Sequence, residues 1–130
     1  FLLLLEQVIA QAKRAGFKAL IADGHGPSRG TFCGYADRFE QQYDIVLIGA
    51  RYKMEDGWRS QVDHAAKNET SLLMAAHPDF VDMSELPADP KQWPIGVGGE
   101  EPRESSPEHG EEIFEETVAR IGRALENAGV

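Results

Sequence analysis

A single cysteine, Cys33, stands in the 130 residues, so no disulfide can close within the chain, and a reducing, cytoplasmic setting is the simpler reading. Long hydrophobic runs are missing too. No apolar stretch approaches the roughly 18 residues of a membrane span, so no membrane partner is expected. Basic residues are scarce: 13 Lys and Arg against 22 Asp and Glu leave a net charge of −9. Residues 100–126 alone hold nine Glu and three Arg, and supply −6 of that total. Such a surface repels a phosphate backbone, which argues against nucleic acid as a partner, and the acidic run reads as a solvated helix face. The start lacks a Met and a basic n-region, so Phe1-Leu2-Leu3-Leu4-Leu5 does not read as a signal peptide. With Glu6 following at once, it is expected to be the interior of a longer chain.

What is present suits one globular domain at most. A hydrophobic share of 42% is that of a folded protein, not a disordered one. Leu2, Leu5, Ile9 and Ala12, with Leu4 and Val8 beside them, follow helical spacing, and Gly16 fits a C-terminal cap. Lys18–Ala22 reads as a short buried strand, and residues 23–30 as a Gly/Pro/Ser loop. Phe32, Tyr35, Ala36 and Phe39 form a second helical stripe. After Asp44, the run Ile45-Val46-Leu47-Ile48-Gly49 predicts a strand covered on both faces. Residues 50–62 read as a polar connection containing Trp58. Residues 69–76 predict a helix stopped by His77-Pro78, and 84–106 a loop with a short strand at 95–97. The last helix begins with Ser106 as N-cap and Pro107 as its first residue, with Phe114, Val118, Ile121 and Leu125 as its core stripe. Gly110 inside that helix costs about 1 kcal/mol relative to Ala, so close packing is expected to require it.

The order helix, strand, helix, strand predicts an α/β fold: a partial parallel sheet flanked by helices. Both strands read as central strands, which need neighbours on each side. The chain cannot supply them all. A missing N-terminal half or a partner chain is expected to complete the sheet.

Two stretches carry candidate chemistry. His25, in Asp23-Gly24-His25-Gly26-Pro27, follows a strand directly and has glycine on both sides. It is either an ordinary loop histidine or a metal ligand at the carboxyl end of a parallel strand, where open α/β sheets place their sites. His64 and Glu69 lie at the mouth of the third helix, in Asp63-His64-Ala65-Ala66-Lys67-Asn68-Glu69. One reading is helix capping, with Asn68 as N-cap and Glu69 in the first turn. The other gives Glu69 as an oxygen donor to a hard cation and His64 as a proton carrier, with Asp63 orienting the ring or acting as a second acid/base. Trp58 and Trp93 either pack or line a pocket. His77 reads as structural, His109 as exposed in a first helical turn, and Cys33 as a buried, inert thiol.

Three blocks resemble the creatininase (creatinine amidohydrolase) family. Phe17–Gly26 is similar to the family's strand followed by Asn-Gly-His-Gly. Asp63–Val81 resembles its His-Ala-Gly…Glu-Thr-Ser helix and the Pro-Asp/Glu-Leu-Val that ends it. Gly96-Val97-Gly98-Gly99 through Glu108-His109-Gly110-Glu111 is similar to its Gly-rich turn and the Glu-Lys-Gly before its last helix. Order and spacing agree from about residue 2 to 126, which reads the chain, residues 1–130, as the C-terminal part of a single creatininase-like α/β domain.

The resemblance implies a metal-dependent hydrolase acting on a non-peptide C–N bond, in a cyclic amide such as creatinine or in a formamide. It implies a divalent metal (Zn, Mn or Fe), a small-molecule amide substrate and an oligomer, commonly a hexamer. His25 matches a metal-binding histidine. Glu69 matches the active-site glutamate, a metal ligand or substrate-binding group. His64 matches the catalytic histidine, with Asp63 where creatininase itself has Glu. The family's remaining ligands, from a Glu-x-His…Asp block, do not occur in these residues, so an N-terminal half or companion chain is expected to supply them. Pro27-Ser28-Arg29 and Ala66-Lys67 stand where the family has Gly-Asn and Gly-Glu. A rival reading is a non-catalytic subunit that keeps the fold and serves hetero-oligomer assembly.

Overall fold

The computed structural model describes residues 1–22, 26–49, 52–53 and 62–130. The chain is a helix-rich α/β protein with a two-stranded parallel sheet. It divides into two compact units, one of Phe1–Gly57 with Ala119–Val130 and one of Trp58–Val118.

The first unit holds helix α1 (Leu2–Arg14), strand β1 (Ala19–Ala22), helix α2 (Gly26–Tyr43) and strand β2 (Val46–Gly49). α1 stops as its sequence predicts. Gly16 takes a φ of 91°, its N–H donates to Lys13 O, and Phe17 N–H donates to Ala12 O. Those two bonds make a Schellman turn, which needs a residue without Cβ strain at that point. β1 and β2 pair in parallel from Ala19 with Val46 to Ala22 with Gly49. Leu47 and Ile48 are both fully buried, so β2 is covered on both faces. β1 is less covered than expected: Ile21 is exposed. The core is Ile9 from α1, Phe32, Ala36 and Phe39 from α2, and Ile45 and Leu47, with Leu2, Leu5, Ala12 and Cys33 packed against it. Cys33 is therefore only partly buried, and Tyr35 lies on the exposed side of the α2 stripe.

Glu40 organises the far side of β2. Its Oε1 accepts the Leu47 N–H at 2.7 Å, its Oε2 accepts Tyr52 OH at 2.9 Å, and Lys53 pairs with it. Gly49 and Tyr52 exchange two backbone bonds. The outward N–H groups of β2 at Leu47 and Gly49 are thus satisfied within this unit. Burial, and then the hydrogen bonds to the Asp37 and Glu40 carboxylates, push the Tyr52 hydroxyl pKa up.

Three sequence expectations are corrected. The stretch Gly26–Gly30 is helix, not loop, because α2 begins at Gly26; a proline in a first turn lacks only an N–H that would have no partner there. No strand forms at 95–97: Ile95 is 102% exposed in a turn, and Trp93 Nε1–H donates to Val97 O to close it. The buried face of the last helix, α4 (Pro107–Asn127), is also not the expected one. Ile113 and Ala124 are buried, whereas Phe114 and Val118 are exposed. Between Ile113 and Ala124 the buried stripe carries Thr117 and Arg120, so it is less apolar than the expected one, and Gly110, three residues before Ile113, marks it.

The second unit is built on helix α3 (Lys67–Ala76), the start of α4, and single 3-10 turns at Pro78–Phe80, Met83–Glu85 and Pro102–Glu104. Arg103 holds the long loop, donating to the carbonyls of Pro87 and Gln92 and to Glu101. Ser106 Oγ accepts the His109 N–H at 3.1 Å, the expected N-cap. Gly110 meets α3 so closely that a Cβ there would fall on the Ser71 carbonyl. Close packing does require it.

Candidate active site

The residue before α3, Ala66, has no side chain that can cap. The first N–H groups of the helix still need acceptors. Asp63 supplies them: its Oδ2 accepts the Asn68 N–H at 2.7 Å and its Oδ1 the Glu69 N–H at 3.1 Å. Glu69 reaches back, and its Oε2 accepts the Ala65 N–H at 2.7 Å. The two carboxylates reproduce the reciprocal logic of a capping box with the caps displaced upstream. Asn68 is not the N-cap. It lies inside the helix and is 1% exposed.

His64 sits between these carboxylates in sequence. Its backbone is pinned to the Gly-rich turn: His64 N–H donates to Gly98 O at 2.6 Å and Gly98 N–H to His64 O at 2.9 Å. Ala65 then takes a φ of 49°, a left-handed conformation that costs a residue with a Cβ about 1–2 kcal/mol. The turn throws the His64 ring outward, where its side chain is 80% exposed. Its Nδ1 lies 3.7 Å from Glu69 Oε2, so Glu69 is the counter-ion whenever the ring is charged.

Behind this pair lies a polar network. Asn68 Nδ2 donates to Asp63 Oδ2 at 2.9 Å and to Glu100 Oε1 at 3.3 Å. Asn68 Oδ1 faces His109 Nε2 at 3.0 Å. The His109 side chain is only 19% exposed, which corrects the expectation of an exposed histidine. Lys67 pairs with Glu104 at 3.0 Å and with Glu100 at 3.9 Å, so this part of the acidic run answers a cation. Composition gave no sign of this network. The one available signal was a polar pair, Asn68 and Ser71, three apart on the buried side of a helix.

The structure therefore brings His64 and Glu69 together and places the Asp63 carboxylate on the helix end. His25 and Trp58 lie outside the described residues. His77 caps the end of α3, as expected. The Glu69 carboxylate is an oxygen donor suited to Zn, Mn or Fe, and the exposed imidazole of His64 beside it is suited to carry a proton. Among the described residues, no group of three or more His, Cys, Asp or Glu is placed so as to hold a metal ion.

A family model described as Creatininase: Creatinine amidohydrolase matches residues 1–125. The chain belongs to the creatininase family. No curated protein and no solved structure matches it. Membership gives this creatininase-family chain a hydrolase-like, amidohydrolase-type chemistry. No helix among its described residues is long and apolar enough to cross a membrane.

Proposed function

We propose that this chain carries the proton-transfer part of a metal-dependent amidohydrolase that cleaves a non-peptide C–N bond, in a cyclic amide such as creatinine or in a formamide. The observation that supports it is the outward-facing His64–Glu69 pair at the mouth of α3, in a chain of this family. A bound divalent metal (Zn, Mn or Fe) supplies polarisation of the amide carbonyl and activation of water.

The remaining work falls to side chains. Glu69 offers a carboxylate oxygen to the cation while its Oε2 stays tied to the Ala65 N–H. His25, matched by sequence, offers a nitrogen. His64 holds a proton and passes it to the leaving nitrogen as the C–N bond breaks. The bonding pair goes to nitrogen, hydroxide from water ends on the carbonyl carbon, the water's other proton restores His64, and the products are a carboxylic acid and an amine, which pass to carboxylate and ammonium in neutral water. Both oxygens of Asp63 accept N–H bonds, so its part here is to hold the first turn of α3. The donors still needed come from a companion chain or an N-terminal half within an oligomer.

The test is hydrolysis by the purified protein, as its complete assembly, of creatinine and of small formamides, with Zn, Mn or Fe supplied in turn. Turnover that is lost on chelation and regained with metal supports the reading. A folded assembly that cleaves no C–N bond with any of the three metals refutes it.

A further inference from the structure

His109 and Asn68 stand outside the pair that would do the chemistry, yet their geometry leads to it. Asn68 is almost fully buried, and its amide has one workable orientation. Its Nδ2 faces two carboxylate oxygens, on Asp63 and Glu100, and carboxylates only accept. Both Nδ2 hydrogens are therefore committed. Turned the other way, the amide would set its carbonyl oxygen against two carboxylates. Oδ1 must then be the atom that meets His109, and His109 Nε2 must carry a hydrogen to donate to it.

The other ring nitrogen, Nδ1, lies 3.9 Å from Glu112 Oε2. The Nε2–H bond is compatible with either charge state of the ring. The neutral tautomer with its proton on Nε2 makes it, and so does the imidazolium, which also gains Glu112. The His109 backbone is fixed independently by Ser106 Oγ, and the next residue, Gly110, is pressed against Ser71. The donor thus stands on a rigid support.

We infer that His109 and Asn68 are positioning residues for the reactive pair. The donor on His109 fixes the amide of Asn68, and that amide fixes the Asp63 carboxylate. Asp63 sets the first turn of α3, from which Glu69 meets His64. The inference rests on the function proposed above for its catalytic consequence, but its structural core is testable without turnover.

The test compares His109→Gln with His109→Met in the full chain. Both side chains are unbranched and similar in length, and they differ in the N–H donor. Two measurements need no substrate: the ring proton resonances of His64, assigned by their loss in His64→Ala, and amide hydrogen exchange along α3. In His109→Met the His64 ring resonances move. The Asn68 and Glu69 amides, which Asp63 caps, exchange about tenfold faster, whereas Met74 later in the same helix does not change. His109→Gln restores both. On a substrate that the parent hydrolyses, His109→Met lowers kcat about tenfold and leaves KM within about twofold. Unchanged His64 resonances in His109→Met overturn the inference. So does His109→Gln behaving like His109→Met, or exchange that rises equally at Met74, which would make His109 a mere prop between helices. If His109→Met does not fold, Asn68→Leu replaces it. That change is close in size, adds no charge, removes the Nδ2 donor to Asp63, and must move the same resonances. A parent without turnover would defeat the proposed function and leave the resonance and exchange results to decide this inference alone.

Discussion

Gly99 lies against Asp63 so closely that a Cβ on the glycine would fall on the aspartate's own Cβ. Its φ of 132° is one that side-chain-bearing residues rarely adopt. The Gly-rich turn is therefore the wall on which the His64 backbone and the α3 cap are set. Gly99→Ala is expected to destabilise the protein by about 3 kcal/mol, from backbone strain and the clash together. Gly98→Ala, whose Cβ would meet nothing within 4 Å, is expected to stay near neutral. Thermal unfolding of the two variants checks this, and equal melting temperatures would contradict it.

Two glycines of α4 should respond in opposite directions. Gly110→Ala places a methyl on the Ser71 carbonyl and is expected to cost about 1–3 kcal/mol, despite the helix propensity gained. Gly122→Ala meets open space in the same helix and is expected to stabilise by about 0.5–1 kcal/mol. Denaturant midpoints read both signs.

The buried face of α4 can be tested by deletion. Ile113→Ala is expected to cost about 2–4 kcal/mol, because its side chain is 1% exposed. Val118→Ala, at 69% exposure, should lie within about 0.5 kcal/mol of the parent. Urea unfolding with a constant m-value separates them, and the reverse ranking would restore the stripe expected from sequence spacing.

What could be read from the chain depended on how local the cause was. The Gly16 cap, the apolar run of β2 and the Ser106-Pro107 helix start each depend on a few adjacent residues, and each formed where the sequence placed it. The His64–Glu69 pair was legible because both residues fall within one helix start. Gly26-Pro27 was misread because residues that break a helix interior are tolerated in its first turn. The α4 face was misread because the more apolar stripe, with Phe114 and Val118, is the exposed one, while the buried stripe carries Thr117 and Arg120 between Ile113 and Ala124 and is marked by the contact of Gly110 with Ser71, 39 positions earlier in the chain. The bond of His109 to Asn68 spans 41 residues and has no local trace.

Stability should fall at both ends of the pH scale. The Lys13 hydrogen bond and charge hold the Asp44 carboxyl below the usual carboxylate range, and hydrogen bonds from Arg103 do the same for Glu101. Their contribution is present above pH about 4, and it is lost as the pH falls through the depressed folded values. Tyr52 acts in the opposite sense. Burial and the bonds to Asp37 and Glu40 keep it protonated where an unfolded tyrosine ionises. Its contribution is complete below pH about 10 and declines as the pH rises above it. Melting temperatures of the parent and of Asp44→Asn and Tyr52→Phe across the pH range check this. Asp44→Asn should flatten the acid side and Tyr52→Phe the alkaline side.

The most direct test of the central claim is turnover and metal content measured together for His64→Ala and Glu69→Gln in the complete assembly, on whichever cyclic amide or formamide the parent hydrolyses. His64→Ala is expected to lower kcat by about 10²–10⁴ with metal content nearly intact, as the loss of a proton carrier does. Glu69→Gln is expected to lower metal content or raise KM as well, because it removes a carboxylate charge that would face a cation. His64→Ala with parental turnover would contradict the account.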